Sequence, residues 1–268
     1  MVAVPAAPEG LIGMARVTPA VELLPVPARG RRFTATRKVR LADVDTRASM
    51  RLDAVARYLQ DVATDDAVDC GLDSSVGWVV RRTMIDVRTP ARLGDEIELT
   101  AVCTGFGRSW AERRTSLLGE GGASIEAVSL WIQVDLERGR PAPLGAGFHE
   151  IYGEAAAGRQ VSTRLSLGPP AGVDDRRSWQ VRRVDLDPWN HVNNAVQWAA
   201  LEQLTAVRRS SRRGTAEIEF LVPIDPDAEL ELRSSTAADD VLGWLVGGDT
   251  VHTAARWRSH EPGGTPSV

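Results

Sequence analysis

The string D-L-D-P-W-N-H-V-N-N, which runs from Asp185 to Asn194, occurs twice in this chain, once intact and once decayed. Aligning Val39 with Val181 is a shift of 142 residues (181 − 39 = 142) and brings the two copies into register. The residues that match under this shift are Asp43 with Asp185, Asp45 with Asp187, Leu59 with Leu201, and Gln60 with Glu202. His191 falls on Ser49, so only the later copy carries a histidine.

Two more stretches repeat in the same order. At a shift of 133 the pairs are Ile85 with Ile218, Pro90 with Pro223, Glu96 with Glu229, and Leu99 with Leu232. At a shift of 126, Trp131 matches Trp257 and the pair Gly121-Gly122 matches Gly247-Gly248. Three registers in one order indicate an internal duplication, and the shrinking shift indicates that the second copy has shorter loops.

Each copy has the same predicted order of elements: one strand, one helix, then several strands. In the first copy we predict a strand at Phe33–Leu41, a helix at Leu52–Ala67, and strands within Thr83–Leu99, Trp110–Leu118 and Ser124–Val134. In the second copy we predict a strand at Gln180–Asp185, a helix at Asn193–Arg208, and strands within Glu217–Leu232 and around Trp257. The second helix is apolar nearly all round, which indicates that it is enclosed by other elements.

This order predicts an α+β fold in which an antiparallel sheet curls around one long helix, the hotdog fold, present here as a tandem or double hotdog. We predict a flexible lead-in at 1–30, a first repeat at 31–138, a linker at 139–178, a second repeat at 179–258 and a disordered tail at 259–268. The two sheets are expected to join edge to edge around two antiparallel helices. The expected molecule is a monomer that forms an intramolecular pseudo-dimer, and a homodimer of such chains stays open.

Bulk composition excludes several classes of function. The chain has 268 residues and a formal net charge of −4, so it lacks the overall positive charge that favours binding to nucleic acid. Its two cysteines, Cys70 and Cys103, have no metal-binding spacing, and we expect neither a metal nor a cofactor. Neither a secretory signal nor an apolar run long enough to span a membrane is recognisable, so the cytoplasm is the expected compartment.

The motif places acid-base groups at the start of the second helix. Asp187 can act as a nucleophile or general base, and His191 can exchange a proton near neutral pH. Free N–H groups near Val192–Asn194 can stabilise a developing oxyanion. A purely structural role is the alternative for each, because Asp caps turns and Asp45 persists in the copy without histidine. Asp185 is expected to be such a turn residue.

Four further polar residues have weaker assignments. Asn190, Asn193 and Asn194 either cap the helix or orient the substrate. Glu202 either reaches the site from a turn below or forms a surface ion pair. Trp189 either shapes the entrance for an acyl chain or packs against the protein.

The motif D-x-D-x-x-x-H-V-N-N resembles that of thioesterases with the hotdog fold. The stretches Trp78–Leu99 and Ser129–Leu144 are similar to the first half of the plant and bacterial acyl-acyl carrier protein (acyl-ACP) thioesterases, which are also tandem hotdogs with the active motif in the second repeat. The resemblance covers residues 33–258 and implies Asp187 and His191 as the catalytic pair. The plant enzymes also use an Asn and a Glu, where this chain has Trp189 and Pro223.

The resemblance implies a hydrolase that releases fatty acid from acyl-ACP in fatty acid biosynthesis. Acyl-CoA hydrolysis is the alternative within the same class, and an enoyl-thioester hydratase or a non-catalytic acyl-thioester binder are alternatives from other classes. Four arginines, Arg208, Arg209, Arg212 and Arg213, follow the second helix and could dock an acidic carrier protein. Cations at the solvated end of a helix would also be stabilised by its dipole, which is the structural alternative.

Overall fold

The computed structural model describes residues 23–72, 76–206, 213–237 and 240–260. The first repeat consists of β1 (Arg32–Lys38), α1 (Leu52–Asp69), β2 (Val76–Thr89), β3 (Glu96–Phe106), β4 (Trp110–Gly119) and β5 (Ser124–Asp135). The second repeat consists of β7 (Asp175–Trp179), α3 (Asn194–Ala206), β8 (Gly214–Phe220), β9 (Leu230–Ala237), β10 (Asp240–Gly247) and β11 (Thr250–Ser259). Between the repeats lie β6 (Arg140–Pro141) and α2 (Ala146–Ala156).

All the strands belong to one antiparallel sheet, ordered β1-β3-β4-β5-β2-β8-β11-β10-β9-β7, with the short β6 paired to β5. The second half of this order is the mirror of the first, since β8, β11, β10, β9 and β7 are the repeats of β2, β5, β4, β3 and β1. The halves join where β2 pairs with β8. The prediction of two hotdog sheets joined edge to edge is confirmed.

The two long helices pack against each other inside the sheet. Trp198 and Leu201 of α3 are each 1% exposed, and both belong to a core that also contains Val55, Leu59 and Val62 of α1. Burial of each such large side chain stabilises the fold by about 1.5–3 kcal/mol. Enclosure on all sides explains why α3 is apolar nearly all round and has little amphipathic character.

Three local predictions are wrong. The strand predicted over Gln180–Asp185 instead comes earlier, as β7, because the Asp185 carboxylate accepts the Arg182 N–H at 2.9 Å and bends Arg183–Asp185 into a 3₁₀ turn. The predicted tail begins too early, because Ser259 ends β11. The predicted linker at 139–178 is not a bare connection, since it contains α2.

Helix α2 forms because its apolar residues recur at helical spacing. Its buried residues are Phe148, Tyr152, Ala155 and Ala156, which lie on one face. That face packs on Cys103 and Ala111 of the first repeat's sheet and so covers one end of the first hotdog.

Most of the predicted lead-in and most of the predicted tail lie outside the described residues, as does the end of the predicted second helix. Within the described ranges, no helix is long and apolar enough to cross a membrane.

Candidate active site

The loop that precedes α3 is folded around the carboxylate of Asp187. Its Oδ1 atom accepts the backbone N–H of Trp189 at 2.9 Å and that of His191 at 3.1 Å. Asn190 lies in the left-handed region with φ of 63°, a conformation that Asn tolerates better than most residues. The left-handed conformation of the turn therefore accounts for the presence of asparagine at position 190.

The same loop exists in the first repeat, where there is no histidine. Asp45 Oδ1 accepts the N–H groups of Arg47 and Ser49, both at 2.9 Å, and Ala48 takes the left-handed conformation with φ of 57°. One oxygen of each aspartate thus has a structural role in both copies. A catalytic role for Asp187 must use its other oxygen, Oδ2, which has no hydrogen-bond partner among the described residues.

The start of α3 leaves one backbone donor free. The N–H of Val192 binds the carbonyl of Ile224 at 2.9 Å, and the N–H of Asn193 binds the carbonyl of Asp185 at 2.8 Å. Asn193 caps the helix, because its Oδ1 accepts the N–H of Ala195 at 2.8 Å. The N–H of Asn194 has no acceptor within the described part of the chain, so it is available to a ligand.

A second acidic residue, Asp225, faces the loop from the connection between β8 and β9. Its Oδ1 lies 3.9 Å from Nε2 of His191, a distance at which a protonated imidazole is attracted electrostatically. Asp225 and His191 correspond to Arg92 and Ser49 of the first repeat (92 + 133 = 225), where the Arg92 guanidinium donates to the Ser49 hydroxyl at 2.8 Å. The two positions meet in both repeats, but only the second repeat places an acid and a base there.

A cavity of about 590 Å³ opens beside this loop and extends into the first repeat. At its mouth the wall includes Asp187, Trp189, Asn193 and Asn194. Farther in, the wall is formed by α1 and by the strands and α2 of the first repeat, with the side chains of Gln60, Ala63, Ala67, Trp78, Cys103, Ala111, Trp131, Phe148 and Tyr152. The imidazole of His191 is not part of the wall; its side chain is 43% exposed beside the mouth.

Aromatic residues of α2 form part of the cavity wall. The ring of Phe148 lies 5.7 Å from that of Trp78 and 4.8 Å from that of Tyr152. Tyr152 is fixed in turn by a 2.8 Å hydrogen bond from its hydroxyl to Asp66, which also pairs with Arg113 at 2.7 Å. These contacts fix the aromatic side chains that α2 contributes to the cavity wall.

Two ionisable groups on the wall have perturbed pKa values. Burial raises the pKa of the Cys103 thiol to about 11, so this thiol is neutral and unreactive at physiological pH. Partial desolvation raises the pKa of Asp61, which lies on α1 next to Gln60. A carboxyl with a raised pKa on a cavity wall is a candidate participant in chemistry.

The structure contradicts one sequence prediction for this site. Glu202 does not reach the start of its own helix; it is 8% exposed, and its Oε1 accepts the N–H of Leu52 at 2.7 Å. Because α1 and α3 run antiparallel, Glu202 of α3 lies at the first residue of α1. Of the four arginines, Arg208, Arg209 and Arg212 lie outside the described residues, and Arg213 is exposed immediately before β8.

Comparison with known proteins agrees with this architecture. Residues 30–152 match the family model of the acyl-ACP thioesterase N-terminal domain. The chain belongs to the acyl-ACP thioesterase family. A relative in Mycobacterium tuberculosis strain H37Rv, described as an uncharacterized protein, is 30% identical over 234 residues, which is 87% of this chain and 94% of the relative.

Solved structures of acyl-ACP thioesterases share the fold. The 12:0-ACP thioesterase from Umbellularia californica has a TM-score of 0.71 at 19% identity and covers 86% of this chain and 98% of its own. An acyl-ACP thioesterase from Bacteroides thetaiotaomicron has a TM-score of 0.73 at 14% identity and covers 85% of this chain and 97% of its own. At these identities the likeness concerns the fold, and it supports the tandem hotdog for this acyl-ACP thioesterase family member.

Two residues near the site were missed by the sequence prediction. Asp225 stands two residues after Pro223, the position where the resemblance called for a glutamate, so a search allowing a short displacement would have found it. The sequence identifies Gln60 only as the repeat equivalent of Glu202 and does not predict that it lines the cavity. Its place on the wall follows from the antiparallel packing of α1 and α3, which no local pattern encodes.

Proposed function

We propose that this protein hydrolyses the thioester of acyl-ACP and releases a free fatty acid, in the fatty acid metabolism of the cytoplasm. The observation that carries the proposal is that Asp187 and Asn194, whose backbone N–H has no acceptor among the described residues, line the same cavity. A mainly apolar cavity with a carboxylate and an oxyanion donor in its wall suits an acyl thioester, whose reactive carbon lies at the end of an apolar chain.

The acyl chain would occupy the first repeat. The small side chains of Ala63, Ala67 and Ala111 leave room along the wall, to which Phe148 contributes a bulky ring. Binding of the acyl chain in this cavity would hold the thioester carbonyl at the mouth. The reacting groups would then be oriented before the reaction, which lowers the entropic part of the barrier.

The reaction would begin with a water molecule held by Asp187. Oδ2 takes a proton from the water while the water oxygen attacks the carbonyl carbon, and the N–H of Asn194 stabilises the negative charge on the carbonyl oxygen. Collapse of the tetrahedral intermediate breaks the carbon–sulfur bond. The departing thiolate takes the proton held by Asp187, and the products are a carboxylic acid and a thiol.

His191 would act at the outer side of the mouth, where the phosphopantetheine arm must pass. Its exposed imidazole, facing Asp225, can orient the incoming water or donate to the arm. Asp225 would replace the glutamate of the plant enzymes as the acidic partner.

The decisive experiment is a panel assay. The purified full-length protein is given acyl-ACP and acyl-CoA thioesters of graded chain length, and the free thiol released is followed over time. Rapid thiol release from acyl-ACP supports the proposal. Faster release from acyl-CoA would favour the acyl-CoA alternative, loss of an enoyl chromophore without thiol would favour a hydratase, and tight binding without turnover would favour a non-catalytic binder.

A further inference from the structure

The start of α1 is the repeat equivalent of the start of α3, but no histidine precedes it. Glu202 contacts the first residue of this helix, Leu52. The N–H of Leu52 is the first donor of α1, and the buried carboxylate of Glu202 occupies it at 2.7 Å. A negative charge at this position also repels any oxyanion that would approach the helix. Glu202 therefore closes the pseudo-site of the first repeat.

The repeat places Gln60 in the corresponding position at the active half. Under the shift of 142, Gln60 corresponds to Glu202 and Leu52 corresponds to Asn194 (60 + 142 = 202; 52 + 142 = 194). Gln60 and Asn194 line the main cavity together, and they also line a smaller void beside it. Gln60 thus faces the start of α3 as Glu202 faces the start of α1.

The difference between the two positions is chemical. A glutamate carboxylate only accepts hydrogen bonds, whereas a glutamine amide can also donate and carries no charge. Gln60 is half-buried, and its amide has no hydrogen-bond partner among the described residues. The indole Nε1 of Trp131, which lines the same two spaces, is likewise a buried donor with no partner in the described part of the chain. Polar groups left unpaired in one wall indicate that a ligand satisfies them.

We propose that the side-chain amide of Gln60 is a catalytic hydrogen-bond donor that, together with the N–H of Asn194, binds the carbonyl oxygen of the thioester. This assignment rests on the proposed thioester hydrolysis. The oxyanion hole is then composite, with one donor from each repeat.

The amide would act mainly in the transition state. Charge on the carbonyl oxygen is small in the bound thioester and large in the tetrahedral intermediate, so a donor aimed at this oxygen raises kcat more than it lowers KM. Removal of one such donor typically lowers kcat by about 10²–10³-fold.

The test compares Gln60→Ala and Gln60→Glu with the wild type on the acyl thioester that it hydrolyses fastest. We expect kcat to fall about 10²-fold in Gln60→Ala and at least as far in Gln60→Glu, with KM changed less than about threefold. The matched control is Gln203→Glu, an exposed position on α3 that makes the same change of charge and should keep kcat within about twofold. Thermal melting of each variant checks that the fold is retained.

The pH profile separates a catalytic donor from a packing residue. A protonated carboxyl at position 60 can donate, so the kcat of Gln60→Glu relative to wild type should rise as the pH falls toward about 4.3, the ordinary pKa of glutamate. A packing role would give no such rise.

Two results would overturn the assignment. One is a kcat for both Gln60 variants within twofold of wild type; the other is a Gln60→Glu variant that remains active at neutral pH while Gln60→Ala is not, because a carboxylate cannot donate. Failure of the proposed function is a different result, since then the wild type itself releases no thiol from any thioester.

Discussion

Met84 and Glu217 lie opposite each other in the antiparallel pair of β2 and β8, and they are also repeat equivalents, since 84 + 133 = 217. On either side of them, Thr83 pairs with Ile218 and Ile85 pairs with Ala216. Since Ile218 is the equivalent of Ile85 and Ala216 is the equivalent of Thr83, the pairing is symmetric about Met84 and Glu217, which places the approximate two-fold axis there. Because of this symmetry, the equivalent residue in the other repeat serves as a matched control for a substitution in either repeat.

The loop aspartates provide the first such comparison. Asp187→Asn keeps an Oδ1 acceptor for the two loop N–H groups but loses the basic oxygen, so we expect kcat to fall about 10²-fold or more with little change in melting temperature. Asp45→Asn changes an equivalent loop and should leave kcat nearly unchanged. Equal losses of activity in the two variants would show that the aspartate has only a structural role.

A comparable pair tests the histidine. His191→Ala removes the exposed imidazole beside the mouth, and we expect thioester hydrolysis to fall about 10²-fold or more. Its counterpart, Ser49→Ala, removes a hydroxyl that only receives a hydrogen bond from Arg92, and should leave kcat nearly unchanged. Retention of full activity by His191→Ala would exclude the imidazole from the reaction.

The size of the cavity should set the length of the acyl chain. Phe148→Leu removes part of a ring that lines the cavity, so the preferred substrate should become longer. Ala111→Leu adds bulk to the cavity wall, so the preferred substrate should become shorter. The measurement is kcat/KM across a series of chain lengths. Leu232→Val, a buried change in the second repeat that does not line the cavity, should leave the preference unchanged even if it lowers stability by about 1 kcal/mol.

Stability should depend on pH through Asp43. Burial would raise the pKa of this carboxyl, but the N–H of Arg40 and the hydroxyl of Tyr58 donate to it and Arg57 pairs with it, so the pKa is lowered overall. A depressed pKa in the folded state stabilises the protein above the ordinary value of 3.8, and this contribution is lost as the pH falls through the folded pKa.

Asp43→Asn should therefore lower the free energy of unfolding by roughly 1.5–3 kcal/mol at pH 7, the range for hydrogen bonds to charged groups, and by much less under strongly acidic conditions. Urea denaturation at both pH values measures the difference, with Asp249→Asn, an exposed turn position, as the control. An effect that does not depend on pH would mean that the charge of Asp43 contributes nothing.

The arginines after α3 should affect the binding of acyl-ACP and not the rate of the chemical step. Replacing Arg208, Arg209, Arg212 and Arg213 by Gln should raise KM for acyl-ACP far more than for acyl-CoA, with kcat nearly constant, because opposite charges promote encounter. Added salt should have the same effect in the wild type, since the Debye length is about 8 Å at physiological ionic strength. Equal hydrolysis of both substrates, insensitive to salt, would exclude docking by this cluster.

The repeat in the sequence carried most of the fold prediction. Paired registers predicted the tandem hotdog and the joined sheets, because duplicated sequences bury their apolar faces in the same way. The repeat also locates the first strand of the second copy: shifting β1 by 142 residues gives 174–180, which contains β7 (Asp175–Trp179), whereas the predicted strand was Gln180–Asp185.

Helix α2 was missed for a related reason. It has no equivalent in the other copy, so the alignment contained no signal for it. Its sequence, A-G-F-H-E-I-Y-G-E-A-A, contains two glycines and lies among further glycines and prolines, a composition that is typical of a linker.

The sequence by itself determined that Asp187 and His191 share one loop at the start of a helix, because that arrangement is local and three to four residues suffice to build it. Only the tertiary structure decided which residues face that loop from elsewhere. Asp225 lies opposite His191 because the loop that follows β8 passes the start of α3. Gln60 lies in the same cavity as Asn194 because the two helices, which come from different repeats, pack antiparallel. Such contacts depend on how distant segments pack, and packing across the junction of the repeats is set by the whole sheet and not by any short stretch of residues.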